Sequence, residues 1–211
     1  VDSQGMEIRE LAIDAKAGDT TEVRSGELHL GVWSIDRLDG SSNVCGVYSI
    51  EVEINGAKYF HCTIDTLDFS VNKDMNAHVY FPTWKKGRQS VHRFNVLTGD
   101  RLPIYDFVSQ TKLKIDRDST LIVDVLCRDV HGNENSKTYY LKGVEAIIHE
   151  SKREIQPAIP SSVTEVMRDG VSVVWPKKSF YSREEVYLEV MDSVEFEIGP
   201  SLIPLAKSFE V

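Results

Sequence analysis

The sequence predicts an all-β protein, and two observations carry that prediction. First, residues 46–54 and 57–64 are rich in β-branched and aromatic side chains and flank the pair Asn55-Gly56. This pair tolerates positive φ and suits the two-residue turn of a β-hairpin. Second, apolar and polar residues alternate along several further short segments that turn residues separate. We therefore expect an immunoglobulin- or fibronectin-III-like β-sandwich followed by a second, smaller β domain.

The expected sandwich domain covers residues 1–149. Its strands are expected at residues 5–15, 27–33, 46–54, 57–64, 90–97, 118–127 and 137–144. Two segments rich in Asp, Asn, Ser and Gly, residues 36–43 and 129–135, are expected as loops, the second as the polar tip of a hairpin. Residues 68–80 are expected to contain a helical turn.

A charged and then proline-containing stretch, residues 150–162, predicts a linker. The remaining residues, 163–211, are expected to form the second domain, with strands at 171–175, 185–190, 194–198 and 207–211. Roughly 50 residues are few for an independent core. This domain is therefore expected either to pack on the first or to be truncated from something longer.

Composition and charge exclude some partners. The 211 residues carry a net charge of −9, from 33 acidic and 24 basic side chains, so nucleic acid is not an expected partner. No apolar run approaches the ~20 residues that cross a bilayer, so no transmembrane segment is expected. The chain begins at Val1 without a basic and apolar leader, which we interpret as processing or trimming.

The cysteines do not predict a disulfide framework. Cys45, Cys62 and Cys127 are an odd number, which leaves at least one of them without an intrachain partner. Counting the hairpin register from a two-residue turn places Cys62 opposite Ser49 and away from Cys45. We therefore expect small, buried thiols.

Common catalytic motifs are absent from the sequence. It contains no P-loop, no dinucleotide-binding Gly-x-Gly-x-x-Gly, no Gly-x-Ser-x-Gly and no His-Glu-x-x-His. His61 and Asp65 would share one face of a strand, where they could hold zinc. A third ligand is missing, so we interpret them as a satisfied or exposed strand pair and assign no catalytic residue.

One loop suggests a cation site. Asp36, Asp39 and Asn43 supply hard oxygen ligands that could bind calcium, and residues 129–135 form a similar loop. The spacing is not that of an EF-hand. Asp and Asn also occur in turns because they cap backbone amides and accept left-handed conformations, and this second interpretation is favoured.

Aromatic residues suggest a carbohydrate site. Trp33, Trp84 and Trp175 could each offer a flat face to a sugar, although aromatic residues on strands more often belong to a core. Trp84 follows a proline and precedes two lysines, so it is the best candidate for an exposed ring. Trp84 and Tyr80 are therefore the candidate ligand-binding residues.

Several segments in order resemble a known family. They are residues 36–51, 66–70, 75–79, 99–105, 128–133 and 203–209. This order resembles the region downstream of the catalytic domain in lysostaphin-type (LytM-like) zinc endopeptidases of the Bacteroidetes, and it extends over most of residues 30–211.

The resemblance implies a secreted protein of the cell envelope, periplasmic or associated with the outer membrane. A separate upstream domain would hold zinc and cleave peptidoglycan cross-links. That domain is characterised by His-x-x-x-Asp together with His-x-His, and this chain lacks His-x-His. The chain would thus be a non-catalytic accessory region without a cofactor of its own, serving positioning or contact with protein or peptidoglycan partners.

Two alternatives stay open at this point. One is a module that binds glycan or peptidoglycan through Trp84 and Tyr80. The other is an enzyme whose catalytic groups come together only in the folded chain.

Overall fold

A computed structural model describes residues 18–37, 44–145, 154–191, 195–200 and 203–211. In these residues the chain is mainly β, with short helical segments, which confirms the predicted all-β class. The strand expected at residues 5–15 lies outside the described residues. None of the described helices is long and apolar enough to cross a membrane.

The described part of residues 18–145 is called the first unit. Its strands are β1 (Thr20–Arg24), β2 (Gly26–Glu27), β3 (Gly31–Trp33), β4 (Asp36–Arg37), β5 (Val44–Cys45), β6 (Ser49–Ile54), β7 (Ala57–Thr63), β8 (Val91–Arg93), β9 (Tyr105–Val108), β10 (Lys114–Ile115), β11 (Thr120–Arg128) and β12 (Glu134–Val144). Its helical segments are a 3-10 turn (Asn72–Asp74), α1 (Met75–His78) and α2 (Phe81–Gly87). The helical turn expected within residues 68–80 is confirmed, whereas α2 was not predicted.

Six strands form the main sheet, in the order β1-β12-β11-β6-β7-β9. β1 runs parallel to β12, with Thr20 beside Tyr140 and Arg24 beside Val144. The other neighbours in the sheet are antiparallel. The sheet therefore places the β11–β12 hairpin beside the β6–β7 hairpin through β11 and β6, and β1 is added in parallel at one edge.

The hairpin at Asn55-Gly56 forms as predicted. Asn55 and Gly56 have φ angles of 51° and 76°, which are the positive values that a two-residue turn of this kind needs at both positions. Ile54 pairs with Ala57 on the other side of the turn. The turn therefore sets the register at this end of the hairpin.

Further from the turn, the predicted register is wrong. The ladder shifts between Val52 and Glu53, and Cys62 lies opposite Ile50 instead of Ser49. An irregularity of this kind places an extra residue on one strand, so each later partner moves by one position. The sequence count assumed an unbroken ladder.

The cysteines are free thiols; Cys62 is buried as expected, whereas Cys45 and Cys127 are only half-buried. Ile50 pairs with Cys62 on one side and with Cys127 on the other, which puts two strand spacings, about 9–10 Å, between the two cysteines. A disulfide needs Cα atoms closer than about 7 Å. Burial raises the pKa of Cys62 to about 12, so this thiol stays protonated and unreactive.

One face of the main sheet is buried and the other is wet. Along β6, Ile50, Val52 and Ile54 point into the core, while Glu51 and Glu53 point out. Three two-stranded pieces, β3–β8, β2–β10 and β4–β5, accompany the main sheet. The buried residues that these pieces and the adjoining loops contribute to the core are Leu28, Val32, Phe94, Leu102, Ile104, Leu113 and Ile115. The second layer is thus assembled from short pieces.

Residues 154–211, where described, are called the second unit. Its strands are β13 (Gln156–Ala158), β14 (Thr164–Arg168), β15 (Val171–Trp175), β16 (Glu184–Val190) and β17 (Phe196–Gly199). β13, β16 and β17 form one sheet, and β14 pairs with β15. A separate core holds Ala158, Val173, Trp175, Phe180, Val186 and Leu188.

The predicted linker of residues 150–162 includes β13, which pairs with β16. Ala158 is fully buried in the core of the second unit, so residues 156–158 belong to that unit and are not a linker. The strand expected at residues 207–211 is reduced to a single bridge between Glu210 and Val174.

The burial pattern gives a matched test of the main sheet. Ile50 is 0% exposed and Ile122 is 38% exposed. We expect Ile50→Ala to lower the free energy of unfolding by about 2–5 kcal/mol, because it leaves a cavity in the core. Ile122→Ala on the wet face should lower it by less than about 1 kcal/mol. Urea unfolding measures both values, and equal losses would contradict the assigned inner face.

Candidate functional site

A cleft of about 330 Å³ lies between the β11–β12 hairpin and the segment that joins β3 to β4. This volume is at the lower end of the ~300–1,000 Å³ range of small-molecule sites. We call it the hairpin cleft. It is the candidate functional site because it brings aromatic and polar side chains to a concave surface.

The hairpin wall of the cleft changes composition along β12. Side chains two residues apart share a face of a strand, so Tyr139, Lys137 and Asn135 continue the inward row that begins at buried Leu141. All three line the cleft, and Asn135 and Lys137 are exposed. The inner face of the sheet thus becomes polar where it passes beyond the core.

The opposite wall is aromatic and aliphatic. Trp33, at the end of β3, and Ile35 line the cleft and are 37% and 40% exposed. Val32 and Val47 also line it and are buried. The backbone of Trp33 pairs with that of Val91 on β8. The indole ring therefore sits on a fixed strand with part of its surface open.

One cation that lines the cleft, Arg128, is neutralised by its neighbours. The Arg128 guanidinium donates to Glu134 at 2.5 Å and to Glu51 on the adjacent strand. These pairs are part of a row of charged side chains across the wet face of the main sheet. The arginine therefore does not present a free charge to an incoming anion.

The Asp129 carboxylate at the hairpin tip accepts hydrogen bonds from residues of its own loop. Asp129 accepts backbone N–H groups of His131 and Asn133 at 2.8 Å and the Asn133 side-chain amide at 2.6 Å. These donors, the Asn133 side chain foremost, hold the pKa of Asp129 below its usual range. This arrangement agrees with the favoured interpretation of the loop as turn chemistry.

The candidate calcium residues are only partly described. Asp36 lines the cleft from β4, where its backbone pairs with Cys45. Asp39 and Asn43 lie outside the described residues. No group of three or more His, Cys, Asp or Glu side chains that could hold a metal ion is found in the described part of the chain.

His61 does not form the expected pair with Asp65. β7 ends at Thr63, so Asp65 lies beyond the strand and is exposed. The His61 ring instead faces carboxylates on neighbouring strands, Asp106 at 3.5 Å and Glu51 at 3.9 Å. Pairing across the sheet has replaced the local pair that the spacing suggested.

Tyr80 and Trp84 occupy different environments from those expected of a sugar platform. Tyr80 is 8% exposed, and the Arg93 guanidinium carbon lies 5.3 Å from its ring centre. Trp84, on α2, is half-buried; its ring stacks 5.9 Å from Phe81, and the Arg88 guanidinium carbon lies 4.6 Å from its centre. The indole of Trp84 is therefore contacted by the protein itself.

The sequence contained a signal for Trp33. Leu28, Leu30 and Val32 alternate on one face of the expected strand at 27–33, which places Trp33 on the opposite face. An outward tryptophan next to a polar loop marks a candidate stacking surface. The pairing of this segment with the distant β11–β12 hairpin had no local signal.

A second group of titratable side chains is buried between α1, β8 and β9. His78 and His92 are 1% and 5% exposed, and His78 Nε2 lies 2.9 Å from His92 Nδ1. The Tyr105 hydroxyl lies 3.2 Å from His78 Nδ1 and donates to the Asp100 carboxylate. We call these four residues the histidine chain.

The hydrogen-bond donors of the histidine chain can be assigned one after another, starting from the bond between Tyr105 and Asp100. The Tyr105 hydroxyl has one proton and gives it to Asp100, so it accepts from His78 Nδ1–H. His78 Nε2 is then an acceptor and receives Nδ1–H of His92. With both imidazoles neutral, each hydrogen bond fixes the tautomer of the next ring.

Burial keeps both histidines uncharged. It lowers the pKa of His78 to about 3, helped by His92 and the Arg93 guanidinium, and the pKa of His92 to about 4. Burial also raises the pKa of Asp100 and Tyr105. None of the four residues lines the hairpin cleft, so we interpret the histidine chain as an internal support of the fold.

A contact beside the histidine chain joins the first unit to the second. The Asp74 side chain is 1% exposed; it accepts Arg101 Nε at 2.8 Å and the Tyr181 hydroxyl of the second unit at 3.0 Å. The N–H of Gly99 donates to the Tyr181 carbonyl at 2.8 Å. A Cβ at Gly99 would lie 3.1 Å from Tyr181 Cα, so any side chain at this position would crowd the Tyr181 backbone. We call this contact the Asp74 junction.

The described residues thus define an all-β protein with a mixed aromatic and polar cleft. Comparisons with protein-family models, curated proteins and solved structures each give no match to this chain.

The histidine chain predicts a pH dependence of stability. In the unfolded chain both histidines bind protons below about pH 6.5, whereas in the folded chain they do so only near their lowered pKa values of about 3 and about 4. The free energy of unfolding should therefore be level above about pH 7 and fall as the pH drops towards 4. Between about pH 7 and 5 the loss should be about 2 kcal/mol for each histidine.

Replacing one buried histidine isolates its contribution to the pH dependence of the free energy of unfolding. We expect His92→Gln to reduce the difference in the free energy of unfolding between about pH 7 and 5, because one buried titrating ring is removed. His131→Gln, at the exposed hairpin tip, is the matched control and should keep the wild-type difference. Urea unfolding at both pH values measures it, and equal slopes in the three proteins would disprove the assignment.

Proposed function

We propose that this chain is a non-catalytic accessory region of a cell-envelope peptidoglycan endopeptidase, and that it positions the enzyme or contacts its partners. The Asp74 junction is the observation that carries the positioning role. A spacer must hold its parts at a fixed angle, and a buried carboxylate bonded to both units resists bending, since separation would leave its charge unpaired. The order of segments that resembles the lysostaphin-type enzymes supplies the envelope context.

The proposal includes the fold type and the location. We propose that the first unit is a variant of the immunoglobulin-like sandwich, supported by its mainly antiparallel main sheet and by a second layer over one shared core. The protein would act in the periplasm or at the outer membrane, with protein or peptidoglycan as partner. Zinc would belong to the separate upstream domain.

A catalytic function is the second candidate, because the hairpin cleft does gather titratable groups. Asp36, Cys127 and Glu134 all line it. Burial raises the pKa of the Cys127 thiol, which opposes its use as a nucleophile, because the thiolate is the reactive form. Glu134 is held by Arg128. The arrangement supports binding better than bond cleavage.

An assay of peptidoglycan hydrolysis distinguishes the non-catalytic role from the catalytic one. We expect the chain, incubated with purified peptidoglycan and stoichiometric zinc, to release no more soluble muropeptide than a protein-free control. Chromatography of the supernatant measures the release. Sustained turnover by this chain would refute the non-catalytic assignment, and loss of that turnover in Glu134→Gln would place it in the hairpin cleft.

The positioning role predicts coupled unfolding of the two units. Tyr181→Phe removes the hydroxyl that bonds Asp74, so we expect a loss of about 1–3 kcal/mol and a separation of the unfolding of the two units. Differential scanning calorimetry would then record two transitions in place of one.

A tyrosine inside the second unit provides the control. Tyr187 donates to Glu197 at 2.5 Å within that unit, so Tyr187→Phe should destabilise the second unit without changing its coupling to the first. A single, unshifted transition in Tyr181→Phe would show that the junction does not couple the units.

A further inference from the structure

We propose that the hairpin cleft is a binding site for an oligosaccharide, with a sugar ring stacked on Trp33 and its hydroxyl or acetamido groups bonded by the facing side chains of β12. This inference goes beyond the positioning role and does not depend on it.

The shape of the cleft suits a flat, polar ligand. Trp33 on one side is 37% exposed, and the row of Asn135, Lys137 and Tyr139 lies on the other. An aromatic face contacts the apolar C–H surface of a sugar while polar side chains bind its edge. A volume of about 330 Å³ leaves room for a small ligand and not for a folded partner.

The polar wall has unused hydrogen-bonding capacity. Within the described part of the chain, the side chains of Asn135 and Lys137 form no hydrogen bond, and both are exposed. The Asn133 amide nitrogen donates to Asp129, which leaves its carbonyl oxygen free to accept. A side-chain amide both donates and accepts, so it matches a hydroxyl or an acetamido group equally well.

Two charged groups of the cleft are already paired, whereas Lys137 has no ion-pair partner among the described residues. Arg128 is bonded to Glu51 and Glu134, and Asp129 is bonded to its own loop. Breaking such pairs to bind an ion would cost the free energy of those hydrogen bonds. A sugar hydroxyl or acetamido oxygen leaves them in place and can accept a hydrogen bond from Lys137.

The ring of Trp33 is also better placed than that of Trp84. The Arg88 guanidinium lies 4.6 Å from the Trp84 ring centre, and Phe81 stacks 5.9 Å from it. A sugar at Trp84 would first have to displace the protein's own side chains. No such contact of the Trp33 ring occurs among the described residues.

The test uses chitotetraose, a soluble chain of four N-acetylglucosamine units, and isothermal titration calorimetry. We expect saturable binding that weakens by about tenfold or more in Trp33→Ala, because the stacking surface is lost. Trp84→Ala is the matched control and should bind within about twofold of the wild type. No saturable binding, or equal binding by wild type and Trp33→Ala, would overturn the proposal.

A second variant covers the case in which Trp33→Ala does not fold. Asn135→Ala changes an exposed side chain, so near-ultraviolet circular dichroism should match the wild type. It should weaken chitotetraose binding several-fold through the loss of hydrogen bonds. Unchanged affinity in Asn135→Ala would overturn the assignment of the polar wall. Because the test measures ligand binding and not unit coupling, its failure would leave the Asp74 junction result unaffected.

Discussion

The buried carboxylate of Asp74 is the constraint on which the middle of the molecule depends. A charge with 1% exposure must be matched by donors, and Arg101 and Tyr181 supply them from opposite units. Their positions fix the loop at residues 99–101, and the adjacent Asp100 then anchors Tyr105 and, through it, the two histidines. One buried charge thus organises the contact between the units and the histidine chain beside it.

Local signals predicted the hairpins but not this contact. The turn at Asn55-Gly56 and the two long strands β11 and β12 follow from alternation and turn residues in the sequence. Asp74 and Arg101 are 27 residues apart, and Asp74 and Tyr181 are 107 apart. Neither spacing belongs to a local motif, because tertiary packing alone brings these partners together. The shift that moved Cys62 opposite Ile50 is similar, since pattern alone does not locate an extra residue.

The candidate site was likewise predicted only in part: its local features had sequence signals, but their arrangement in space did not. The alternation along residues 27–33 contained a signal for an outward Trp33 that the prediction did not use, and the residues at the tip of the β11–β12 hairpin were identified as a polar loop. The sequence did not indicate that the two lie across one cleft. It favoured Trp84 because charged neighbours suggested exposure, whereas Arg88 folds back over that ring. Which aromatic surface remains open is decided by tertiary packing and not by composition.

The parallel pairing of β1 with β12 has a consequence for biosynthesis. Thr20 lies beside Tyr140, so β1 cannot pair with its neighbour until the last strand of the main sheet has been synthesised. Its edge hydrogen bonds form only after more than a hundred further residues have emerged, and such non-local pairing is slow. Until then the edge of β1 is open to other chains. During synthesis an unpaired strand edge therefore persists until the whole of the first unit has emerged.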